Sequence, residues 1–190
     1  KPNPIRLHSD KTILLTIGKL ELRKLNDVLP DIFAKAFSKE DNVELLVKIN
    51  PSHGVPDINK LIEPWTKEYP NHAPIQFFVQ NVKYEELVKI YNSANVFVSP
   101  TRGEAFNLPV AEAMACELPC IVTGYGGQCD FVQDGINGLY VDYNMTEVTW
   151  ELSYEGISWA TPKIDDLRKK LRWAYEHQDK IQEMGKKGRE

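Results

Sequence analysis

The apolar pattern changes period repeatedly along this chain, and that alternation constrains the fold more than any other feature. "TILLTI" (12–17) is a short continuous apolar run, the mark of a strand covered on both faces. Leu25, Val28, Leu29, Ile32, Phe33, Ala36 and Phe37 then recur at helical spacing, predicting a helix over 25–37. Strands follow at 43–49, 75–80, 95–100, 120–125 and 138–143, the last taken as the final strand. Helices are expected between them at 58–69, 85–94 and 109–117, with a short helical piece near 127–133 and one helix from Asp165 to about Met184. The segment 144–164, with Trp150 and Trp159, has no clear period and reads as a long ordered excursion. Strands alternating with helices make βαβ units. The expected fold is α/β: a Rossmann-like parallel sheet with helices on both faces, in a single domain over 1–190.

In such folds ligands sit beyond the carboxyl ends of the strands. Three loops there carry unusual residues. "IGKLELRKL" (17–25) places Gly18 at a strand end and then crowds Lys19, Arg23 and Lys24 at a helix entrance. Cations oppose the helix dipole unless an anion is shared between them; solvated lysines on a loop are the rival reading. The spacing is not that of a P-loop. "SPTRGEAFNLPVAE" (99–112) brackets a Pro109-led helix start with Glu104 and Glu112. Ionised carboxylates only accept hydrogen bonds, and sugar and ribose hydroxyls are donors. Two glutamates on either side of a phosphate site suit a nucleotide sugar, yet glutamates near a helix start are common anyway. "TGYGGQCDFVQDGINGL" (123–139) is glycine-rich after a strand, but it lacks the G-x-G-x-x-G spacing of NAD and FAD sites.

A net charge of −4 argues against a nucleic-acid backbone as partner and leaves a nucleotide open. No apolar run approaches the roughly 18–20 residues that span a bilayer, and no signal-peptide pattern opens the sequence. Cys116, Cys120 and Cys129 lack a fourth ligand nearby and read as reduced thiols of a cytoplasmic protein rather than a metal site.

The stretch "EAFNLPVAEAMACELPCIVTGYGGQCDFVQDGINGLYV" resembles the signature of retaining glycosyltransferases of the GT-B fold, E-G-F-G-L-P-x-x-E-A-M-A-x-G-x-P followed by a G-G-x-x-[DE] segment. "GKLELRK" is similar to that family's G-R-x-x-x-x-K-G, and "VQNVKYEELVKIYNSANVFVSPT" to its G-x-V-x-x-x-x-L-x-x-x-Y-x-x-A-D-V-x-V-x-P-S. The tail at 157–176 is similar to a W-x-x-P-x-x-x-x-L segment of some members. The resemblance implies the C-terminal, donor-binding half of a GT-B enzyme whose N-terminal acceptor domain precedes Lys1, so this chain alone is expected to be inactive. It implies a nucleoside diphosphate sugar such as a UDP or GDP sugar as donor, an unnamed saccharide, lipid or protein acceptor, hexosyl transfer with retention, no cofactor and no metal. Association with a membrane would come through the missing half, and its lost contact surface is expected to leave an apolar patch.

By the same resemblance, Lys24 binds the donor diphosphate and Lys19 stands at the arginine of G-R. Glu104 faces the donor sugar as the catalytic residue, and backbone N–H groups of Phe106, Asn107 and Leu108 touch sugar and phosphate. Glu112, the second glutamate of the E-x7-E motif, accepts from the ribose, and Val82 lies beside the base. Four departures stand out: Lys19 for arginine, with Arg23 as a substitute cation, Leu25 and Asn107 for glycines, and Gln80–Asn81 where F-x-G is common. The alternatives are a non-catalytic nucleotide-sugar or protein-binding module on the same fold, and a sugar-nucleotide epimerase.

Overall fold

The computed structural model describes residues 10–51, 57–149 and 156–190. Six parallel strands form one sheet: β1 (Thr12–Gly18), β2 (Val43–Ile49), β3 (Ile75–Val79), β4 (Val96–Ser99), β5 (Cys120–Thr123) and β6 (Gly138–Val141). Their order is β3-β2-β1-β4-β5-β6. The chain builds outward from β1 through β2 to β3, then returns to pair β4 with the other side of β1. Such a reversal opens a crevice between the loops that follow β1 and β4.

Side-chain alternation sends the two faces of each strand into separate cores. Leu14, Leu45, Val47, Val98 and Ile121 pack with Leu29, Ile32 and Phe33 of α1 (Leu29–Ala36) and with Leu167 and Leu171 of α5 (Ile164–Glu176). Leu15, Leu46, Phe97 and Val122 pack on the other face with Ile90 and Tyr91 of α3 (Tyr84–Asn92) and with Val110 and Ala113 of α4 (Leu108–Ala115). The remaining helices are α2 (Ile58–Glu68) and α6 (Gln178–Arg189). Helices therefore cover both faces, as the alternating periods imply.

Four boundaries differ from the sequence reading. The first helix begins at Leu29, because Leu25 takes a left-handed conformation (φ 56°) and the chain runs through turns before Pro30 starts the helix. The piece near 127–133 is one 3-10 turn, Gly127–Asp130. The C-terminal helical stretch is two helices, broken at His177 (φ −125°, ψ 54°). Finally, β6 is not the last strand. The excursion holds β7 (Tyr143–Glu147) and β8 (Ser158–Pro162), paired antiparallel as a separate ribbon. Trp159 of this ribbon is buried; Trp150 lies outside the described residues.

Candidate active site

The crevice at the β1/β4 reversal gathers three of the charged residues singled out above. After β1 the chain turns through Glu21–Lys24, closed by Lys24 N–H donating to the Glu21 carbonyl at 2.9 Å. Leu25 and Asn26 go down into the protein, and Arg23 and Lys24 turn toward the loop after β4. The Lys24 ammonium pairs with Glu104 Oε1, and Arg23 Nη1 lies 2.9 Å from the same oxygen. Arg23 Nη1 also donates to the Gly103 carbonyl at 2.6 Å, and the buried Thr101 hydroxyl lies 3.2 Å from Glu104 Oε1. Two cations thus converge on one carboxylate oxygen, beside a hydroxyl whose single proton also has the Arg23 carbonyl at 3.1 Å and the Gly103 carbonyl at 3.3 Å in reach. Among the described residues, Glu104 Oε2 meets no donor. The side chains of Glu104, Lys24 and Arg23 are 11%, 16% and 25% exposed, so water screens this cluster only in part.

Beside the cluster lies a run of backbone donors. Among the described residues, the N–H groups of Glu104, Ala105, Phe106, Asn107 and Leu108 meet no acceptor. The run ends at the start of α4, where the Asn107 carbonyl takes the first helical bonds, from Val110 at 3.0 Å and Ala111 at 3.4 Å. Orphan N–H groups at a helix start, next to a left-handed residue, favour an anion. Two cations and these donors face one region, so the arrangement suits a diphosphate.

The glycine-rich loop after β5 supports that run from behind. Gly127 N–H donates to the Glu104 carbonyl at 2.9 Å. A Cβ on Gly127 would overlap the Ala105 carbonyl and come within 2.8 Å of Phe106 Cα. This loop works as a buttress, which is why it is glycine-rich without the spacing of a dinucleotide site. The β7–β8 ribbon holds the other flank: Ala160 N–H donates to the Arg102 carbonyl at 2.9 Å, and the Arg102 guanidinium lies over the Trp159 ring.

Glu112 sits one turn into α4, and its Oε2 accepts from the Tyr91 hydroxyl at 2.8 Å. Burial pushes the Tyr91 phenol up, and the hydrogen bond to Glu112 adds to that. Tyr91 is therefore a fixed donor that orients the carboxylate. The groove between α3 and α4, of about 270 Å³, opens beside this pair and is lined by Tyr84, Leu87, Val88 and Ala111. No role is assigned to Tyr91 or Thr101 in the sequence reading. A tyrosine on an apolar helix face requires a partner for its hydroxyl, and that is the signal that would have found Tyr91.

The other singled-out residues are placed as follows. Gly18 ends β1, and a Cβ there would come within 2.6 Å of Asn26 Nδ2, a residue tied through Oδ1 to Thr16. Lys19 is exposed and its ammonium has no partner among the described residues. Phe106 and Leu108 are exposed at the mouth of the crevice. Val82 stands apart from the charge cluster, past the end of β3, against the core of the α3/α4 face.

Comparison with known proteins decides what this arrangement belongs to. The family model described as glycosyl transferases group 1 matches residues 1–154. The chain belongs to the glycosyl transferases group 1 family. It is similar to a D-inositol 3-phosphate glycosyltransferase of Mycobacterium sp. (strain KMS), 30% identical over 137 residues that cover 70% of this chain and 29% of that protein. Sucrose synthase 1 of Hordeum vulgare is 28% identical over 144 residues, covering 70% of this chain and 18% of the relative. The chain thus spans less than a third of the curated relatives it matches. Among solved structures, a sucrose-phosphate synthase from Thermosynechococcus elongatus superposes with a TM-score of 0.73 and 26% identity, over 97% of this chain and 41% of that one. HepE of Anabaena, solved in complex with UDP-glucose, gives 0.72 and 15%, over 95% and 43%. The architecture is that of one Rossmann-like half of a GT-B fold.

Against the pattern of this glycosyl transferase family, three of the glycine departures share one explanation, whereas Ala105, at a fourth, does not take a positive φ. The non-glycine residues with positive φ among the described residues are Leu25 (56°), Asn107 (70°) and Glu117 (60°). Each stands at a glycine of the family pattern quoted above. The backbone keeps the glycine conformation and the side chain bears a penalty of about 1–2 kcal/mol. Leu25 offsets it by full burial. Asn107 is a residue type that tolerates this region; it is 4% exposed and donates from Nδ2 to Ser99 Oγ at 3.1 Å, so its side chain tucks beneath the loop. Glu117 has only a surface ion pair with Arg189, at 2.9 Å, to offset the strain. Glu117→Gly is therefore expected to raise stability by about 0.5–1 kcal/mol, the relief of strain outweighing the added chain entropy. A denaturant titration checks this, and a loss of stability would show that Glu117 is not strained.

Proposed function

We propose that this chain is the donor-binding domain of a retaining glycosyltransferase that transfers a hexosyl group from a nucleoside diphosphate sugar to an acceptor held by an N-terminal domain. The observation that carries the reading is the convergence of Lys24, Arg23 and Glu104 on one edge of five free backbone N–H groups. The cations and the α4 start would hold the departing diphosphate as preorganised electrostatics. Glu104 Oε2 would accept from a hydroxyl of the donor sugar and face the positive charge that develops at the anomeric carbon. Glu112, oriented by Tyr91, would accept from the ribose, with the base toward Val82 along the α3/α4 groove.

Retention follows in this reading from a front-face route in which leaving group and acceptor share one side of the sugar, with no covalent intermediate on Glu104. In this reading Lys24 and Arg23 carry the diphosphate charge, and no metal is required. Phe106 and Leu108, exposed at the crevice mouth, are the apolar surface that the N-terminal domain would cover. Among the described residues no helix is long and apolar enough to cross a membrane.

Calorimetric titration with UDP, GDP, ADP and their sugars tests the reading. Glu112→Ala is expected to weaken the preferred nucleotide by about 1.5–3 kcal/mol, the range for a hydrogen bond to a charged group. Tyr91→Phe is expected to cause a smaller loss of the same kind. Unchanged affinity in the Glu112 variant would remove the ribose assignment.

A further inference from the structure

Outside the charge cluster, one buried cation has no counterpart. Lys48 lies one residue before the end of β2 and is 5% exposed. Among the described residues its ammonium has neither a hydrogen bond nor an ion pair. Burial alone pushes this ammonium down from the usual lysine range. The acid on its own face of β2 is Glu44, four residues back and so about 13 Å along the strand, where Gln76 Nε2 donates to it at 2.6 Å. The stem is buried, whereas the ammonium is not among the enclosed polar atoms that lack a partner, so its tip still reaches solvent. Fixed by its stem and without a protein acceptor among the described residues, the ammonium is available to an acceptor that arrives with a ligand.

The register says which part of a ligand it meets. Leu46 packs on the α3/α4 face of the sheet and Val47 on the opposite one, so alternation places Lys48 on the α3/α4 side. It pairs across the sheet with Ile17 on one side and Phe78 on the other, both packed on that same face together with Val82. Its long stem reaches along these apolar neighbours toward the carboxyl edge of the sheet. In the order β3-β2-β1-β4, β2 stands two strands from the loop that carries the free N–H groups. At about 4.8 Å per strand that is roughly 10 Å, close to the separation of phosphate and base in an extended nucleoside diphosphate.

We propose that Lys48 contacts the base of the donor and favours nucleotides whose base presents a carbonyl oxygen. This rests on the nucleotide-sugar reading above and adds the residue that selects among nucleotides. An ammonium only donates. Uracil and guanine offer exocyclic carbonyl oxygens to it, whereas adenine places an amino group, itself a donor, on that edge.

The test is calorimetric titration of the full-length protein and its Lys48→Met variant with UDP, GDP and ADP. The wild type is expected to prefer UDP or GDP. Lys48→Met is expected to lose about tenfold in affinity for that nucleotide and to change ADP binding less than twofold. It should melt no lower than the wild type, since methionine keeps the buried stem and the ammonium it removes has no partner among the described residues. Lys48→Gln keeps an N–H donor and is expected to recover part of the preference; it carries the test if the methionine variant does not fold. Equal weakening of all three nucleotides overturns the base contact in favour of the diphosphate. A wild-type preference for ADP, or no change in either variant, also overturns it. A wild type that binds none of the three removes the nucleotide-sugar reading itself, and the Lys48 proposal with it.

Discussion

Glu104→Gln is expected to tighten binding of the bare nucleoside diphosphate while collapsing sugar transfer. Arg23 and Lys24 both point at Glu104 Oε1, so a diphosphate bound as proposed would compete with this carboxylate for the same two cations. Two unit charges about 4 Å apart interact by about 4 kcal/mol at an effective dielectric constant of about 20. The three side chains are partly exposed, and solvent screening brings the net gain from releasing the cations to about 1–2 kcal/mol. Glutamine keeps the shape and the contact with Thr101, so the loop has no cause to rearrange. The diphosphate Kd is then expected to fall roughly 5- to 30-fold. Turnover with the nucleotide sugar in the full-length enzyme is expected to fall by about 10²–10³, the range for losing one preorganised electrostatic partner of a transition state. Calorimetry and initial rates read the two effects separately. A weaker diphosphate complex would mean that Glu104 organises the cations for the ligand instead of opposing it.

Gly127→Ala is expected to disable the proposed donor site from behind without touching any charged side chain. The added methyl collides with the Ala105 carbonyl and the Phe106 backbone, and neither is the free end of a side chain that could swing away. The loop of free N–H donors must shift, and the bond from Gly127 N–H to the Glu104 carbonyl lengthens or breaks. Overpacking of this kind destabilises by about 1–3 kcal/mol. Donor affinity is expected to drop at least about tenfold, because a misplaced loop forfeits several hydrogen bonds together. Denaturant unfolding and nucleotide titration of one preparation measure both. Retained affinity at reduced stability would show that the 104–108 loop is held from elsewhere.

The charge cluster illustrates how far local sequence reaches. Lys24 and Glu104, which the structure brings together, are legible because they sit in a run of matched motifs in the correct order, and βαβ alternation places those motifs at strand ends. Thr101 is not legible: a threonine between a proline and an arginine gives no sign that its hydroxyl is buried against a carboxylate 3.2 Å away. By the resemblance Lys19 stands at the arginine of the family motif, yet it is exposed while Arg23 reaches Glu104. The turn over Glu21–Lys24, closed by Lys24 N–H on the Glu21 carbonyl, carries Arg23 to that side, and such a turn is not visible in the residue types.

The β7–β8 ribbon was illegible for a related reason. Its strands alternate weakly, since the ribbon packs on a loop and not on a broad core, and its tie to the site runs through the backbone of Arg102 and Ala160. Backbone bonds between distant segments leave no residue-type signal.

The sequence by itself determined the sheet of parallel strands, the helices on both faces and the strand ends that carry the polar residues. These follow from hydrophobic period, which each segment displays alone. The tertiary structure decided that two cations share one glutamate oxygen, that a glycine loop buttresses the free N–H groups of 104–108, and that Lys48 is buried without a partner among the described residues. Each depends on which segments meet across the sheet, and local period does not encode that.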